Sequence, residues 1–315
     1  MSDILKLPYF SRQDNAIFYL DQYEYLDLDG INIASPAGER LLLAEGVNVK
    51  MPSIPVPSQP SNERIVILEP HPDDFALSAS GYGMNTIASG SVCHVINLFS
   101  RTTIARFPWQ NKVTINEEML EELRLQESQL AVGSFLGQEF TSLRLPLASK
   151  RGYDEIFAER HHDQVLVQHI GGLLTSMIVE LDTKTILCPL AIQGHIDHLV
   201  TFDVGMFIKD ALGNQVNLVL YEDYPYARNK NAYAKRLLEV SVDHRLTQEY
   251  IAVDENLNTM ADMAIIYRSQ FDDINRDQMY AIMREDTRAT SLEAKAEGIN
   301  MKAEHMQRYW RVYEN

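Results

Sequence analysis

The sequence predicts a three-layer α/β/α sandwich built on a mainly parallel sheet, with a small N-terminal β appendage. Three observations support this prediction. From Arg64 onward, short apolar runs typical of strands alternate with longer stretches of helical periodicity. A proline-rich stretch at 51–60 separates this region from short strand-like runs before it. Two clusters of histidine and aspartate each follow an apolar run directly, as expected at the carboxyl ends of parallel strands.

The N-terminal region is predicted to form short strands and turns. Strand-like runs occupy 16–20 and 23–28, and turn signals follow at 29–30 and 36–38. The four prolines of residues 51–60 predict an extended linker. This extension could pack on the main domain, extend the wall of a ligand cleft, or form a dimer contact. We therefore predict an N-terminal β extension with its linker at 1–62 and one main domain at 63–315.

The main domain is predicted to have a Rossmann-like sheet. Strands joined by helical crossovers pair in parallel and carry helices on both faces of the sheet. The region after Leu257 is predicted to be mostly helical and ends in the aromatic tail 309–313. The predicted strands are 64–69, 91–98, 140–146, 184–190 and 216–222, and the predicted helices between them are 75–89, 117–136, 164–181 and 199–212.

Length and composition restrict the class of protein. A chain of 315 residues with 45% hydrophobic content can bury one large core. Its formal net charge of −16 argues against binding to nucleic acid or to an anionic membrane, because both need basic surface. A neutral or cationic small-molecule partner fits this charge better, and the sequence is compatible with a homo-oligomer.

The cysteines and the chain start bear on the location of the protein. Cys93 and Cys188 lie in apolar strand-like runs, so we predict buried free thiols, which are typical of a reducing compartment. The start Met1–Lys6 has no continuous apolar segment, and no run approaches membrane-spanning length. We therefore expect a cytoplasmic protein without a membrane span.

The most informative local feature is the tetrapeptide His71-Pro72-Asp73-Asp74, which follows the apolar run 65–68 directly. A second cluster, His195-Ile196-Asp197-His198, follows the apolar run 185–190. The carboxyl ends of parallel strands open into one crevice, where ligands bind. The two clusters are therefore expected to meet in space although they are far apart in sequence.

These residue types predict a metal-dependent hydrolytic site. Imidazole combined with carboxylate suits a catalytic zinc, which takes three protein ligands and keeps a fourth position open. We predict His71, Asp74 and His198 as ligands of Zn²⁺, and Fe²⁺ could occupy the same set. Asp73 is then free to take a proton from water and to return it to a leaving amine. His195 could donate to a developing oxyanion, and Asp197 could orient or charge an imidazole.

A simpler interpretation of both clusters is structural. Proline fixes φ and aspartate readily caps a following helix, so His-Pro-Asp-Asp could be only a turn. His195 and His198 could likewise be polar surface near a helix start. The placement of both clusters at predicted strand ends favours the metal site.

With these two clusters, the chain resembles the PIG-L or LmbE-like deacetylases. The matching segments are 70–74 and 194–198, with weaker similarities at 124–137 and 267–270, and the resemblance extends over roughly 63–310. It implies a catalytic domain at 63–315 that hydrolyses the N-acetyl group of an N-acetylglucosamine-like amino sugar or its conjugate. It also implies a zinc cofactor held by His71, Asp74 and His198, with Asp73 as the base.

Two positions depart from the family's pattern. Phe75 stands where the family commonly has glutamate. Gln193 stands where some members have a tyrosine that assists the acetyl carbonyl, although a glutamine amide could still donate a hydrogen bond. Two alternative functions therefore stay open: a metal-dependent amidase for a non-sugar acyl amine, and a non-catalytic sugar-binding or metal-binding protein.

Further substrate contacts are predicted around the same crevice. The family's pattern makes Arg124 a contact for sugar hydroxyls, with an exposed ion pair to Glu127 as the alternative. Tyr224 follows a predicted strand in a loop rich in tyrosines and acidic residues. Arg101 follows the strand predicted at 91–98 and could also reach the site. With Gln193, these residues complete the predicted substrate-binding set.

Overall fold

The structure is a computed structural model that describes residues 64–102, 117–157, 159–160, 163–271 and 273–313, and five short strands before residue 51. Those five strands form two antiparallel sheets: β1 (Phe10–Gln13), β2 (Ala16–Tyr19) and β3 (Leu26–Asp27) in one, and β4 (Leu41–Ala44) and β5 (Val47–Lys50) in the other. They agree with the predicted β appendage. The turns predicted at 29–30 and 36–38 and the linker at 51–60 lie outside the described residues, and the domain division at 62/63 stays a prediction.

The main sheet has seven strands and is mostly parallel, which confirms the predicted fold class. The strands are β6 (Arg64–Glu69), β7 (Val92–Arg101), β8 (Glu139–Pro146), β9 (Thr185–Pro189), β10 (Asn217–Tyr221), β11 (Arg245–Ala252) and β12 (Met306–Tyr313). Their spatial order is β11-β12-β10-β9-β6-β7-β8. Strand β12 runs antiparallel to both of its neighbours, whereas the pairs from β10 to β8 are parallel.

The predicted helices are present, with one shifted start. Helix α4 begins at Ile196 rather than at residue 199, so the second motif lies on its first turn. Short π-helical segments precede α1, at Phe75–Ala79, and follow α2, at Gln129–Phe135. The helices are α1 (Ser80–Ala88), α2 (Glu117–Ser128), α3 (Gln164–Glu180), α4 (Ile196–Leu212), α5 (Lys230–Asp243), α6 (Leu257–Ala264), α7 (Arg268–Phe271) and α8 (Arg276–Ala296).

Strand β6 is apolar on both faces because the sheet is covered on both sides. Ile65 and Ile67 belong to one hydrophobic core, which includes side chains from α1, α2, α6 and α8. Val66 and Leu68 belong to the opposite core, which includes side chains from α3, α4 and α5. Burying an aliphatic side chain of this size contributes about 1.5–3 kcal/mol. The continuous apolar run thus reflects a central strand of a three-layer sandwich.

The order of the strands places both motifs at one switch point. From β6 the chain adds β7 and β8 on one side and then returns to place β9 on the other side of β6. Ligands of open α/β sheets bind outside the carboxyl ends of the strands at such a reversal. Residues 71–74 follow β6 and residues 195–198 follow β9, so the topology itself brings the two motifs together.

The edge strand β11 and its neighbour β12 were not predicted. The aromatic tail forms β12, which lies between β10 and β11, with Leu220 opposite Trp310 and Tyr309 fully buried. A strand that returns antiparallel after a long helix carries no local signal of its neighbour, because its pairing depends on distant residues. The predicted burial of Cys93 and Cys188 as free thiols is confirmed.

Within the described part of the chain, no helix combines the length and the apolar character that a membrane crossing requires. The cytoplasmic location expected from the sequence stays a prediction.

Candidate metal centre and active site

The loop after β6 is a tight turn closed by its own residues. The backbone N–H of His71 donates to Asp74 Oδ2 at 2.8 Å, and the N–H of Asp74 donates to the carbonyl of His71 at 3.2 Å. Asp74 stands at the start of a helical segment, yet its side chain caps no helical N–H group. The turn expected from the structural interpretation is present, but the Asp74 carboxylate lies among the histidines instead of capping the helix.

Asp73 has a strained backbone that a charged neighbour supports. Its φ of 120° lies in a region that favours glycine, and such outliers cost on the order of 1–3 kcal/mol and cluster at functional sites. Arg124 Nη2 donates to the carbonyl of Pro72 at 2.7 Å and lies 3.7 Å from Asp73 Oδ1. The buried guanidinium therefore holds both the backbone and the carboxylate of this turn.

The loop after β9 uses an unusual backbone to present His195. Ala191, Gln193 and Gly194 all have positive φ values, of 61°, 66° and 78°. His195 then caps α4: its Nδ1 accepts a hydrogen bond from the N–H of Asp197 at 3.2 Å. Burial, and next the neighbouring imidazoles, lower the pKa of His195 to about 2. A neutral His195 whose Nδ1 accepts must carry its proton on Nε2, so it is a hydrogen-bond donor there.

Three imidazoles and one carboxylate converge where the loops meet. Ligand atoms of His71, His195 and His198 lie within 4.8 Å of one another, a grouping that could hold a metal ion. Asp74 Oδ2 is 3.4 Å from His71 Nδ1 and 3.5 Å from His198 Nε2. Two ligand atoms about 2.0–2.1 Å from a tetrahedral zinc are roughly 3.4 Å apart. The spacing around Asp74 is therefore compatible with zinc bound by the three predicted ligands. His195 lies beside them, where its ring N–H could donate a hydrogen bond.

Carboxylates determine which nitrogen of each predicted ligand is available. His198 Nδ1 contacts Asp223 Oδ1 at 2.6 Å, which leaves Nε2 free toward Asp74. His71 Nε2 contacts Asp197 Oδ2 at 2.9 Å, which leaves Nδ1 free toward Asp74. Carboxylate partners of this kind orient metal-binding imidazoles and increase their basicity. Asp197 therefore orients the imidazole of His71. The Asp197 carboxylate is fully buried behind that ring.

A buried ion pair supports Asp197 from behind. Arg151 Nη1 donates to Asp197 Oδ1 at 2.6 Å, and Arg151 Nε donates to Asp163 Oδ1 at 3.2 Å. Tyr153 donates to the other oxygen of Asp163 at 2.9 Å. Burial raises the pKa of Asp197, but its hydrogen bond with His71 and the Arg151 charge outweigh burial and hold this pKa below its ordinary value. The Asp197 carboxylate therefore favours its ionised form beside the candidate metal site.

The two adjacent aspartates have opposite electrostatic environments. Burial raises the pKa of Asp73 to about 7, although the Arg124 charge opposes this rise. For Asp74, burial is outweighed by the charge of His198 and the hydrogen bonds from His71, so its pKa falls to about 2. A carboxylate that stays ionised suits metal binding, and one that titrates near neutral pH suits proton transfer. The environments thus differ in the direction that the assigned roles require.

The structure brings part of the predicted substrate set to one cavity of about 510 Å³. Arg124 and Tyr224 line this cavity together with His71, Asp73, Asp74, His195 and His198. Arg101 and Gln193 do not line it. The Arg101 side chain is exposed, with its Nε 3.9 Å from Glu121 Oε2, and the Gln193 side chain is also exposed. Their position gives no support to the predicted substrate contacts.

Two further expectations are resolved by burial. Arg124 and Glu127 are both buried, and Glu127 accepts from the N–H and the hydroxyl of Ser269 at 2.7 and 2.6 Å, so the exposed ion pair between them is wrong. Phe75 is fully buried in the core, and its N–H donates to Glu69 Oε2 at 3.1 Å. The departure at Phe75 is therefore accommodated by packing outside the cavity.

Sequence reasoning did not single out several residues of the site. Asp223 lay in the acidic loop after β10, where its position at a strand end was the available signal. Arg151 and Asp163 carried no signal, because their contacts cross from one loop to another. Helix α8 lines the cavity with Met279, Ile282 and Met283, whose helical spacing cannot be distinguished from an ordinary core stripe.

Comparison with known proteins finds a family match that contains both motifs. Residues 66–209, which contain both motifs, match the model of the PIG-L family, described as GlcNAc-PI de-N-acetylase. A curated relative, 2'-N-acetylparomamine deacetylase of Streptomyces fradiae, is 29% identical over 176 residues. That match covers 54% of this chain and 60% of the relative's length.

Solved structures share the fold at low sequence identity. Two structures come from a deacetylase of teicoplanin biosynthesis, and one of them is described as its zinc-inhibited form. Their TM-scores are 0.63 and 0.61 at sequence identities of 19% and 20%. Each match covers 80% of this chain and 98% of the solved chain. A 4-carboxy-2-hydroxymuconate hydratase from Pseudomonas putida has a TM-score of 0.56 at 11% identity and covers 80% of this chain and 97% of its own. The fold therefore serves more than one reaction.

The family match and the motifs coincide on the same residues. His71, Asp73 and Asp74 lie in the first part of the matched region, and His195 and His198 lie near its end. The predicted resemblance to the PIG-L family is therefore confirmed by the match of residues 66–209 to its model.

Proposed function

We propose that this protein is a metal-dependent hydrolase that removes the N-acetyl group of an N-acetylglucosamine-like amino sugar or its conjugate. The observation that carries this proposal is the spacing of His71 Nδ1, Asp74 Oδ2 and His198 Nε2 beside a separate carboxylate, Asp73, in one cavity. The family match and the deacetylase relative support the choice of reaction and of substrate class.

His71, Asp74 and His198 would hold the ion, with Zn²⁺ favoured by the donor set and Fe²⁺ as the alternative. A bound ion of this kind supplies a Lewis acid for the acetyl carbonyl and lowers the pKa of water. Asp223 and Asp197 hold the two imidazoles in the orientation that leaves the required nitrogens free.

The side chains around the ligands would move the protons. Asp73 accepts a proton from the attacking water and later delivers it to the departing amine, as its pKa near neutrality permits. His195 is neutral and carries its proton on Nε2, so it donates a hydrogen bond to the oxygen that becomes negatively charged. Arg124 keeps Asp73 in position through the Pro72 carbonyl and its own charge.

Neither departure from the family's pattern favours a non-catalytic protein. Phe75 packs in the core, and Gln193 is exposed outside the cavity, so neither side chain obstructs the site. An amidase for a non-sugar acyl amine would use the same chemistry. It differs from the proposal only in the group attached to the amide.

The direct test is acetate release by the protein loaded with Zn²⁺ or Fe²⁺. We expect release from N-acetylglucosamine glycosides and not from N-acetyl alkylamines of similar size. His198→Ala should lose both the metal and the activity, whereas Leu292→Ser, an exposed position on α8, should keep both. Preferential hydrolysis of the alkylamines would favour the amidase, and metal binding without any hydrolysis would favour the binding protein.

A further inference from the structure

One side of the cavity is apolar and takes no part in the chemistry described above. Six side chains form this surface, which we call the apolar wall: Leu77, Phe271, Ile274, Met279, Ile282 and Met283. They come from the segment after the first motif, from the end of α7 and the residues that follow it, and from α8.

The inner residues of the wall are buried, and its outer residues are accessible from the cavity. Met279 and Met283 are 1% and 5% exposed and pack in the core with Phe271. Ile274 and Ile282 are only half-buried, so their outer surfaces remain available to a ligand in the cavity. Methionine is flexible and polarisable and adapts to ligands of irregular shape. The wall is therefore suited to a non-polar group of variable shape.

The charges beside the wall neutralise each other. Arg228 and Asp286 both line the cavity, and Arg228 donates two hydrogen bonds to Asp286, from Nε at 2.8 Å and from Nη2 at 2.7 Å. A paired guanidinium and carboxylate leave little net charge to attract a polycation or a phosphate. The electrostatics of this side of the cavity thus favour an uncharged ligand group.

We propose that the apolar wall binds a non-polar aglycone, so that the substrate is an amphipathic conjugate of N-acetylglucosamine. The inference rests on the proposed function, because the acetamide must lie at the metal ligands for the rest of the molecule to extend along the wall. A cavity of about 510 Å³ falls within the range that accommodates drug-sized molecules. It therefore has room for a sugar ring and an attached group.

The test compares methyl and n-hexyl glycosides of N-acetylglucosamine, each as both anomers. A fully buried methylene improves binding by roughly fourfold, so we expect kcat/KM for the hexyl glycoside to exceed that for the methyl glycoside by at least about tenfold, mainly through KM. Ile282→Ser should reduce this preference by at least about threefold, because it should lower kcat/KM more for the hexyl glycoside than for the methyl glycoside. Leu292→Ser is the matched control, because Leu292 is 59% exposed on the same helix outside the cavity and should change neither value.

Direct binding separates this inference from the proposed function. Calorimetric titration of the metal-loaded protein with both glycosides should give a Kd at least about tenfold lower for the hexyl compound, whether or not acetate is released. Equal Kd values, or a hexyl preference that Ile282→Ser leaves intact, would overturn the apolar subsite while acetate release could still stand. Tight hexyl binding without acetate release would retain the subsite and overturn the deacetylase.

Discussion

The two loops that build the candidate metal centre are held in place by different means. The loop after β6 closes its turn with its own residues, because His71 and Asp74 exchange hydrogen bonds within four residues; Arg124 adds a contact to the Pro72 carbonyl. The loop after β9 depends on distant residues, because Asp223 orients His198 and Arg151 supports Asp197. A local constraint is visible in a motif, whereas a constraint from distant residues appears only when the chain is folded. Substitutions in the first loop should therefore remove a function outright, and those in the supports should weaken it by degrees.

The largest effect should come from separating the two aspartates of the first loop. Asp73→Asn keeps the volume and the metal but cannot accept a proton, so kcat should fall about 10²–10⁴-fold. Asp74→Asn is the matched control, because it should lower the metal content instead and recover partly with excess zinc. Metal analysis and kcat at saturating zinc measure both effects. A metal-free Asp73→Asn beside a metal-replete Asp74→Asn would show that the roles are reversed.

The next effect tests the support of the second loop. Asp223→Asn leaves His198 intact but replaces its charged acceptor by a neutral amide. The NH₂ group of this amide would then face either the His198 ring or the N–H of Ile192. Zinc affinity should fall about 10–100-fold, as is typical for such partners. Titration against a competing chelator measures the affinity. Asp286→Asn, a carboxylate that lines the same cavity away from the ligands, serves as control, and an equal loss in both variants would contradict a specific role for Asp223.

A smaller effect on zinc affinity is expected at Arg151, which contacts Asp197 behind His71. Arg151→Met removes a charge that, after the hydrogen bond with His71, helps to lower the pKa of Asp197, so the partner of His71 becomes a weaker acceptor. We expect zinc affinity to fall by less than about tenfold, because Arg151 acts on the metal only through Asp197 and His71. Arg151→Lys should restore part of the affinity by keeping the charge. The prediction fails if the two variants, both folded by circular dichroism, bind zinc equally weakly.

The smallest effect returns to the first loop and concerns pH. Asp73 must be deprotonated to act as a base, and Arg124 lowers its pKa. Arg124→Gln removes this influence, so the acidic limb of the kcat/KM profile should move to higher pH, with activity lost first at low pH. Arg124→Lys keeps a positive charge and should move the limb less. A bound cation lowers the pKa of Asp73 in all three proteins, so the difference between their profiles is the measurement. A shift to lower pH would contradict the proposed pairing.

The sequence by itself determined the parts of this protein that depend on local pattern. The run at 65–68 is apolar without interruption because β6 is covered on both faces, and this signal predicted the strand. The alternation of strands and helices predicted the layers. The first motif also encodes its own turn, since its hydrogen bonds connect residues three positions apart. His71, Asp74 and His198 lie close together as expected, because both motifs follow strands whose carboxyl ends meet at the switch point. Their role as metal ligands stays a prediction.

Only the tertiary structure decided the features that depend on contacts between distant segments. Strand β12 joins the sheet by pairing with β10 and β11, and its own residues do not indicate which strands it pairs with. The ring nitrogen that each histidine makes available depends on Asp197 and Asp223, which approach through other elements. The apolar residues Met279, Ile282 and Met283 of α8 have the spacing of an ordinary core-facing helix. In the folded protein, however, Ile282 is half-buried and lines the cavity. Periodicity reports that a face is apolar, but what that face meets is decided by packing.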